Sequence, residues 1–495
     1  MPDILLPIGS IIVLGIIIVY RALFAGTPRR PPGPPQRFFG LFDHPVSNGA
    51  FAPRAFADLQ KRYGPVISFY QGRTLVVVLG TFKAATDLLE KRGGIYSNRP
   101  RNIMGGELLA GNMRGVVMPY GKRWRNWRAL MQAGLGIESS NNYKPVQTFE
   151  SAFLLHDLLN EKDYGRNALH LRRYAVSVVF CVAYGKRIES LDDPLVLANL
   201  KAADAFIKLS TPGKYMVESM PILLKLPKLM QWFAKEPLRQ RAVDTELYLS
   251  LLNNVRKQME AGTARPSTAR RALEKQGEFG LSDVETAYCV SAPFGAGLAT
   301  VLSTLDVFLM AMLHHPEIMK KAQAEIDRVV GRDRLPQFDD AESLSYVKAL
   351  VLETMRWRPT SPIGIPHSII SDDIYEGMHV LEGSTIIANA YAMSKDEEYF
   401  VSPEEYNPDR YLEIMNSNPN GPQSTFFFGI LWAFDIIPPK DEKDNEILPS
   451  TDDFVGGLTI TPRPFGYLLK ERGPDVRGVV LEEWRRASED TFDWK

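Results

Sequence analysis

The feature that most constrains this chain is one apolar helical stretch, LSDVETAYCVSAPFGAGLATVLSTLDVFLMAMLHHP, residues 281–316. Ser282 with Glu285 three positions on predicts a capping box, in which each residue's side chain accepts the other's otherwise unpaired backbone N–H. The apolar pattern then runs to His314 and His315 and stops at Pro316. Such a helix is about 48 Å long, enough to cross a whole domain, so the other elements must be arranged around it. Pro293 is expected to kink it, and Gly295 and Gly297 leave its middle without side-chain bulk. A stripped, kinked centre suits a bound cofactor or substrate, although an imperfectly packed core helix gives the same pattern.

The flanking sequence fits one domain. VISFYQGRTLVVVLG, residues 66–80, reads as two β-branched runs around a Gln-Gly-Arg turn, hence a hairpin. Residues 82–330 are mostly helical in pattern, with a breaker-rich gap at AGTARPSTARR, residues 261–271. Helical signals return to about residue 358, and then short β-like pieces such as HSIISDDIYEGMHVL and GSTIIANA alternate with loops. Length alone would allow about three domains in 495 residues. No long linker separates two cores, however, so the fold class is mainly α with a minor β part, in a single large domain. With 58 basic and 58 acidic residues, net charge gives no reason to expect nucleic acid as a partner. The two cysteines, Cys181 and Cys289, exclude a disulfide framework and a four-cysteine zinc site.

The N-terminus carries its own signal. ILLPIGSIIVLGIIIVY, residues 4–20, has no charge and would span about 25 Å as a helix, near the lower length for crossing a bilayer. A cleaved signal peptide would call for a basic start and a small-residue cleavage site. Arg21, Arg29 and Arg30 follow the apolar run and place the rest of the chain in the cytosol by the positive-inside rule. TPRRPPGPP, residues 27–35, predicts a stiff extended spacer without helix or strand hydrogen bonds. The expected organisation is a membrane anchor (1–25), a proline-rich hinge (26–36) and one domain (37–495).

Four clusters could carry chemistry. In GKRWRNWRALM, residues 121–131, Trp124 shares a helical face with Arg128 and with Trp127. An indole N–H and a guanidinium pointing together suit a carboxylate or phosphate oxygen, and a solvated basic face is the plain alternative. In ETMRWRP, Glu353 and Arg356 lie one turn apart; if buried, the pair needs a third group, for which Arg410 in NPDRYL is the candidate. GAGLAT, residues 295–300, echoes a dinucleotide fingerprint, but it lies inside the long helix with no βαβ series around it. His314 and His315 diverge on a helix, His367 is constrained by Pro366, and no pair of the seven histidines has a helical zinc spacing.

The order of these pieces (anchor, hinge, WRNWR, AGLAT, ETMR, PHS, NPDRYL) resembles cytochrome P450, the haem-thiolate monooxygenases, and especially their membrane-bound fungal members. The resemblance covers nearly the whole chain, to TPRPFGYLL. It implies the cytochrome P450 fold, a haem cofactor, electrons from NADPH through a membrane reductase, and a small apolar substrate of terpenoid or polyketide type. It also implies a single-pass protein of the endoplasmic reticulum membrane with its domain in the cytosol. Residue by residue, it assigns Trp124 and Arg128 to a haem propionate, with His367 near another propionate position where Ser368 replaces a common arginine. Glu353, Arg356 and Arg410 match a buried charge triad. Thr300 matches a proton-delivering threonine, beside Ala299 where an acid is usual.

One stretch departs from the family. Where the resemblance calls for FxxGxRxCxG, whose cysteine binds haem iron, this chain has FFFGILWAFDI. Phe428 and Gly429 are expected to begin the loop, and ILWAFDI to be the end of the helix that follows it. Residues 426–434 allow only about two and a half helical turns, too few for loop and helix together. Without a thiolate the iron lacks the electron donation that favours O–O cleavage. Loss of the helix is expected to uncover apolar surface worth on the order of 5–8 kcal/mol. The readings carried forward are a monooxygenase whose present chain is misjoined, a haemless ligand-binding or regulatory relative, and a tethered basic-aromatic protein that binds nucleic acid.

Overall fold

A computed structural model describes residues 29–35, 51–211, 213–417 and 425–489. The expected hairpin forms: β1 (Val66–Gln71) and β2 (Thr74–Leu79) pair antiparallel from Val66↔Leu79 to Gln71↔Thr74. Gly72 closes the turn at φ 59°, a left-handed backbone that a residue without Cβ adopts freely. The principal helices then follow as α1 (Lys122–Leu135), α2 (Lys144–Asn160), α3 (Asn167–Tyr184), α4 (Pro194–Ser210) and α5 (Lys235–Glu260). The long apolar stretch supplies α6 (Asp283–Val290) and α7 (Ala292–His314), followed by α8 (Pro316–Val329) and α9 (Ser345–Trp357). Two short strands, β3 (His367–Ser368) and β4 (Thr385–Ala388), complete a four-stranded sheet in the order β1-β2-β4-β3.

The capping box is present: Glu285 N donates to Ser282 Oγ at 3.3 Å, and Ser282 N donates to Glu285 Oε2 at 3.0 Å. The helix breaks at Ser291 instead of kinking at Pro293. The break puts Pro293 in the first turn of α7, where its missing N–H has no carbonyl to satisfy. Taken together, Asp283–His314 is the one described helical stretch long and apolar enough to cross a bilayer. In this fold it is an internal axis shared by two cores. Phe294 and Leu298 pack with α1, α3, α5 and α6, whereas Leu305 to Leu313 pack with α2, α8 and α9. Gly295 and Ala296, within the first end, and Ala299 and Val301, between the ends, are exposed.

The departing stretch folds differently from its expected form. It makes one helix, α10 (Thr425–Ala433), followed directly by β5 (Phe434–Ile437). Phe428 and Gly429 are therefore inside a helix, and FDII is a strand. The reason for the glycine is packing: a Cβ on Gly429 would lie 3.2 Å from Leu155 of α2. Further along come the hairpin β6 (Phe454–Gly456) and β7 (Ile460–Pro462), then β8 (Leu468–Glu471), which pairs antiparallel with β5, and α11 (Asp475–Glu489).

Nor does α10 leave apolar surface uncovered. Phe426, Phe428, Ile430, Leu431 and Trp432 are all at most 2% exposed, and Phe427 meets Phe308 of α7 edge-on at 5.0 Å. At about 1.5–3 kcal/mol for each fully buried large side chain, this burial is comparable with a domain's whole net stability. The C-terminal carbonyls of α10 are also satisfied. Arg332 donates to Trp432 O at 2.8 Å, Arg472 donates to Leu431 O and Trp432 O at 3.1 Å, and Asp327 balances both guanidiniums. Cations at a helix C-terminus oppose the dipole there.

The proline-rich segment departs from expectation too. Residues 29–35 are docked, because proline lacks a donor but keeps its carbonyl. Ser68 donates through N to Pro32 O at 2.8 Å and through Oγ to Pro31 O at 2.5 Å, and His379 N donates to Arg29 O at 2.9 Å. Gly33 is required there, since a Cβ would strike the Ser68 carbonyl at 1.9 Å. The anchor reading, residues 4–20, lies outside the described residues.

The packing of α10 has a direct check. Backbone amides of residues 426–433 should be among the slowest in the protein to exchange with deuterium. Trp432→Ala should lower the unfolding free energy by about 3–5 kcal/mol in urea titration; rapid exchange with a near-neutral variant would disprove the docking.

Candidate functional site

The chain's candidate residues fall in three places, set by α7, α1 and α9. Thr300 lies on α7 where the helix opens to solvent, and its hydroxyl donates to Ala296 O at 2.7 Å. That bond turns the hydroxyl back on its own helix. Ser303, one turn further, holds Ile460 O of β7, and Thr461 Oγ1 donates to Asp306 Oδ2 at 3.0 Å. These two bonds clamp the β6–β7 hairpin beside the exposed stretch of α7. Burial raises the Asp306 carboxyl to about 6, and the Thr461 bond opposes that only in part.

On α1, Trp124 and Arg128 share a face as their spacing requires, with the guanidinium carbon 5.5 Å from the indole centroid. Tyr120 packs on Trp124 at 5.3 Å. Arg128 is exposed, and no carboxylate pairs with it among the described residues. Trp127 does not join them. Its ring is packed under Gly115, where a Cβ would come within 2.4 Å, and its Nε1 is buried without a partner.

Asn98 brings β3 to this helix, which spacing alone does not reveal. Its Oδ1 accepts from Tyr120 N at 2.8 Å, and its carbonyl accepts from Ser368 N at 2.8 Å. His367 Nδ1 lies 2.9 Å from Tyr96 O. A carbonyl only accepts, so Nδ1 carries the proton and Nε2 a lone pair. Burial first, and Arg99 second, hold the imidazole below its ordinary pKa. His367 is thus neutral at pH 7 and binds an anion only after taking a second proton.

The triad on α9 assembles as the burial argument requires. Arg356 makes a bidentate pair with Glu353, Nε to Oε2 and Nη2 to Oε1, both at 2.7 Å. Arg410 Nε and Asn407 N also donate to Glu353 Oε1, at 3.2 and 2.8 Å. The Glu353 side chain is 0% exposed and that of Arg356 4%. Remaining arginine donors end on backbone: Arg356 on Ser394 O and Pro403 O, Arg410 on Val401 O, and both on Glu405 O. The triad therefore pins the chain from 394 to 410 against α9.

Whether these residues fit a haem divides by side. Arg128 and Trp124 offer donors for a carboxylate. No thiolate is available for the iron: Cys181 is buried on α3 with Sγ toward Lys186 O, and Cys289 on α6 with Sγ toward Trp127 O. Burial pushes the Cys181 thiol up to about 12 and raises that of Cys289 as well. At the position read as the loop, Phe428 and Gly429 are sealed inside α10. The set does not fit a thiolate-bound haem. A separate cavity of about 760 Å³, lined by Tyr184, Lys186, Asn254 and Arg265 among others, shares none of the candidate residues.

Two measurements probe these groups. Glu353→Ala should cost roughly 3–5 kcal/mol, because it leaves two buried guanidiniums unpaired; an unfolding midpoint unchanged from that of the native chain would show that the triad does not hold this region. The Asp306 carboxyl binds its proton more tightly in the folded state than at its unfolded pKa of about 3.9. Its contribution is therefore fully present below about pH 4 and is lost as pH rises through 6. Asp306→Asn, which keeps an acceptor for Thr461, should flatten that decline and raise stability at pH 7.5 by on the order of 2 kcal/mol. Parallel stability–pH curves for the two proteins would count against it.

The family described as Cytochrome P450 matches residues 31–429, a span that ends inside α10. Cytochrome P450 monooxygenases 58 and 253 of Postia placenta are each 34% identical over 494 residues, covering 94% of this chain and 93% of the relative. Cytochrome P450 monooxygenase virE of Hypocrea virens is 32% identical and covers 97% and 94%. Among solved structures, a zebra fish cytochrome P450 with abiraterone has a TM-score of 0.68 at 21% identity, covering 85% of this chain and 99% of that one. The structure with progesterone has a TM-score of 0.70 at 22% identity, covering 85% and 100%. The fold, the buried triad and these relatives together place the chain in the cytochrome P450 family, whose curated members here are monooxygenases.

Proposed function

We propose that this chain derives from a microsomal-type monooxygenase and that, as written, it does not form a thiolate-ligated haem. In that reading the parent enzyme sits in the endoplasmic reticulum membrane through residues 4–20. It takes electrons from NADPH through a reductase and inserts one oxygen atom into a small apolar secondary metabolite of terpenoid or polyketide type. Trp124 and Arg128 hold a propionate, His367 lies beside a second, Glu353, Arg356 and Arg410 brace the surrounding chain, and Thr300 handles a proton.

The observation that carries the reading is the placement of both cysteines in α3 and α6, with protonated, buried thiols, while Phe428 and Gly429 are helical core. Retention of Trp124, Arg128 and Thr300 together supports a recent loss, since a long-haemless protein has no need of that combination. The second reading, a haemless ligand-binding or regulatory relative, is favoured by one observation: α10 closes the core by itself, so the shell has what it needs to fold without the loop.

A reduced, carbon-monoxide-treated sample of this polypeptide should show no absorption at the thiolate-haem Soret position; a clear thiolate band overturns the proposal. Sequencing transcripts across residues 424–429 separates the two readings. Longer transcripts with a cysteine-bearing insert select the misjoined enzyme, and an uninterrupted genomic reading selects the haemless relative.

A further inference from the structure

Arg114, in the loop before α1, is a largely buried cation whose hydrogen-bond donors are only partly met among the described residues. Its side chain is 13% exposed, and its guanidinium lies between the rings of Phe206 on α4 and Tyr248 on α5, at 4.6 and 5.7 Å from their centroids. One hydrogen bond is made, from Nη2 to Tyr248 Oη at 2.7 Å. Asp244, the nearest carboxylate, stands 3.8 Å from Nη2, beyond hydrogen-bond reach, and its Oδ2 has no partner. Among the described residues Nε is buried without an acceptor and Nη1 makes no hydrogen bond. Nη1 lies 3.8 Å from where a Cβ on Gly295 would be, so it overlooks the exposed start of α7.

A guanidinium fixed between two rings, with donors unmet beside an apolar helix face, is suited to recognise one oxygen on an otherwise apolar molecule. Charge selects which oxygen. Asp244 already balances Arg114, so a ligand carboxylate would place a second anion around a single cation, whereas a neutral carbonyl adds an acceptor without repulsion. We propose that Arg114 is a specificity-determining residue that donates to a ketone or ester oxygen, so that the ligand reaches this site already oxygenated. The inference rests on reading the exposed face of α7 as the substrate side. It also places the parent enzyme after a reaction that introduces a carbonyl group into a hydrocarbon skeleton.

Binding tests this without haem or oxygen, so its outcome is separate from that of the carbon-monoxide spectrum. The full chain in detergent micelles is titrated calorimetrically with nootkatone and with valencene, the same sesquiterpene skeleton with and without a ketone. Nootkatone should bind about tenfold more tightly, the worth of one net hydrogen bond of about 1.4 kcal/mol. Arg114→Gln should reduce the difference to within about threefold and leave valencene unchanged, and Arg114→Lys, which keeps a cation for Asp244, should fall between. Circular dichroism identifies a variant that has failed to fold, and the native-chain comparison then decides. Equal binding of the two compounds to the native chain, binding of neither, or equal weakening of both by Arg114→Gln overturns the proposal. Tighter binding of dehydroabietic acid than of nootkatone overturns the assignment of a neutral carbonyl.

Discussion

Helix α7 belongs to two hydrophobic cores at once, and the rest of the molecule is arranged by that demand. Its first turns pack Phe294 and Leu298 into one core, and its last turns pack Leu305 to Leu313 into the other. The stretch between, residues 299–304, leaves Ala299 and Val301 exposed, while Leu302 packs against both cores. Three of the groups discussed lie at that opening. Thr300 is on it, Arg114 overlooks it, and Ser303 with Asp306 ties the β6–β7 hairpin beside it. A helix with bulky side chains throughout would have merged the two cores and left no place for a ligand.

The region around α10 is closed by packing within the chain itself. Residues 426–433 of α10 are apolar on nearly every side, and the core buries them. Two arginines and one aspartate, drawn from α8, the turn after it and the end of β8, close the helix's C-terminal carbonyls.

Much of this was legible from local pattern. The capping box at Ser282, the Gln-Gly-Arg hairpin and the Glu353–Arg356 pair depend on residues at most a few positions apart, where spacing fixes geometry. The demand for a third charge partner followed from desolvation, and Arg410 supplies it. Other features could not be read that way. Asn98 joins α1 to β3 across hundreds of residues through one side-chain and one backbone bond. The proline segment looked like a free spacer because it lacks donors, yet its carbonyls find Ser68 and His379. FDII looked like the end of a helix until β8, more than thirty residues on, gave it a strand partner.

The sequence by itself determined the family order of motifs, the mainly α fold class and the lack of a cysteine in the expected loop, because these depend on residue identity and short-range spacing. Only the tertiary structure decided that His367 is neutral, that Trp127 turns away from Trp124, that α10 seals the core and that Arg114 has donors to spare. The physical reason is common to all four. Protonation, ring orientation and hydrogen-bond satisfaction are set by what surrounds a side chain in space, and here those surroundings come from segments far apart in the chain.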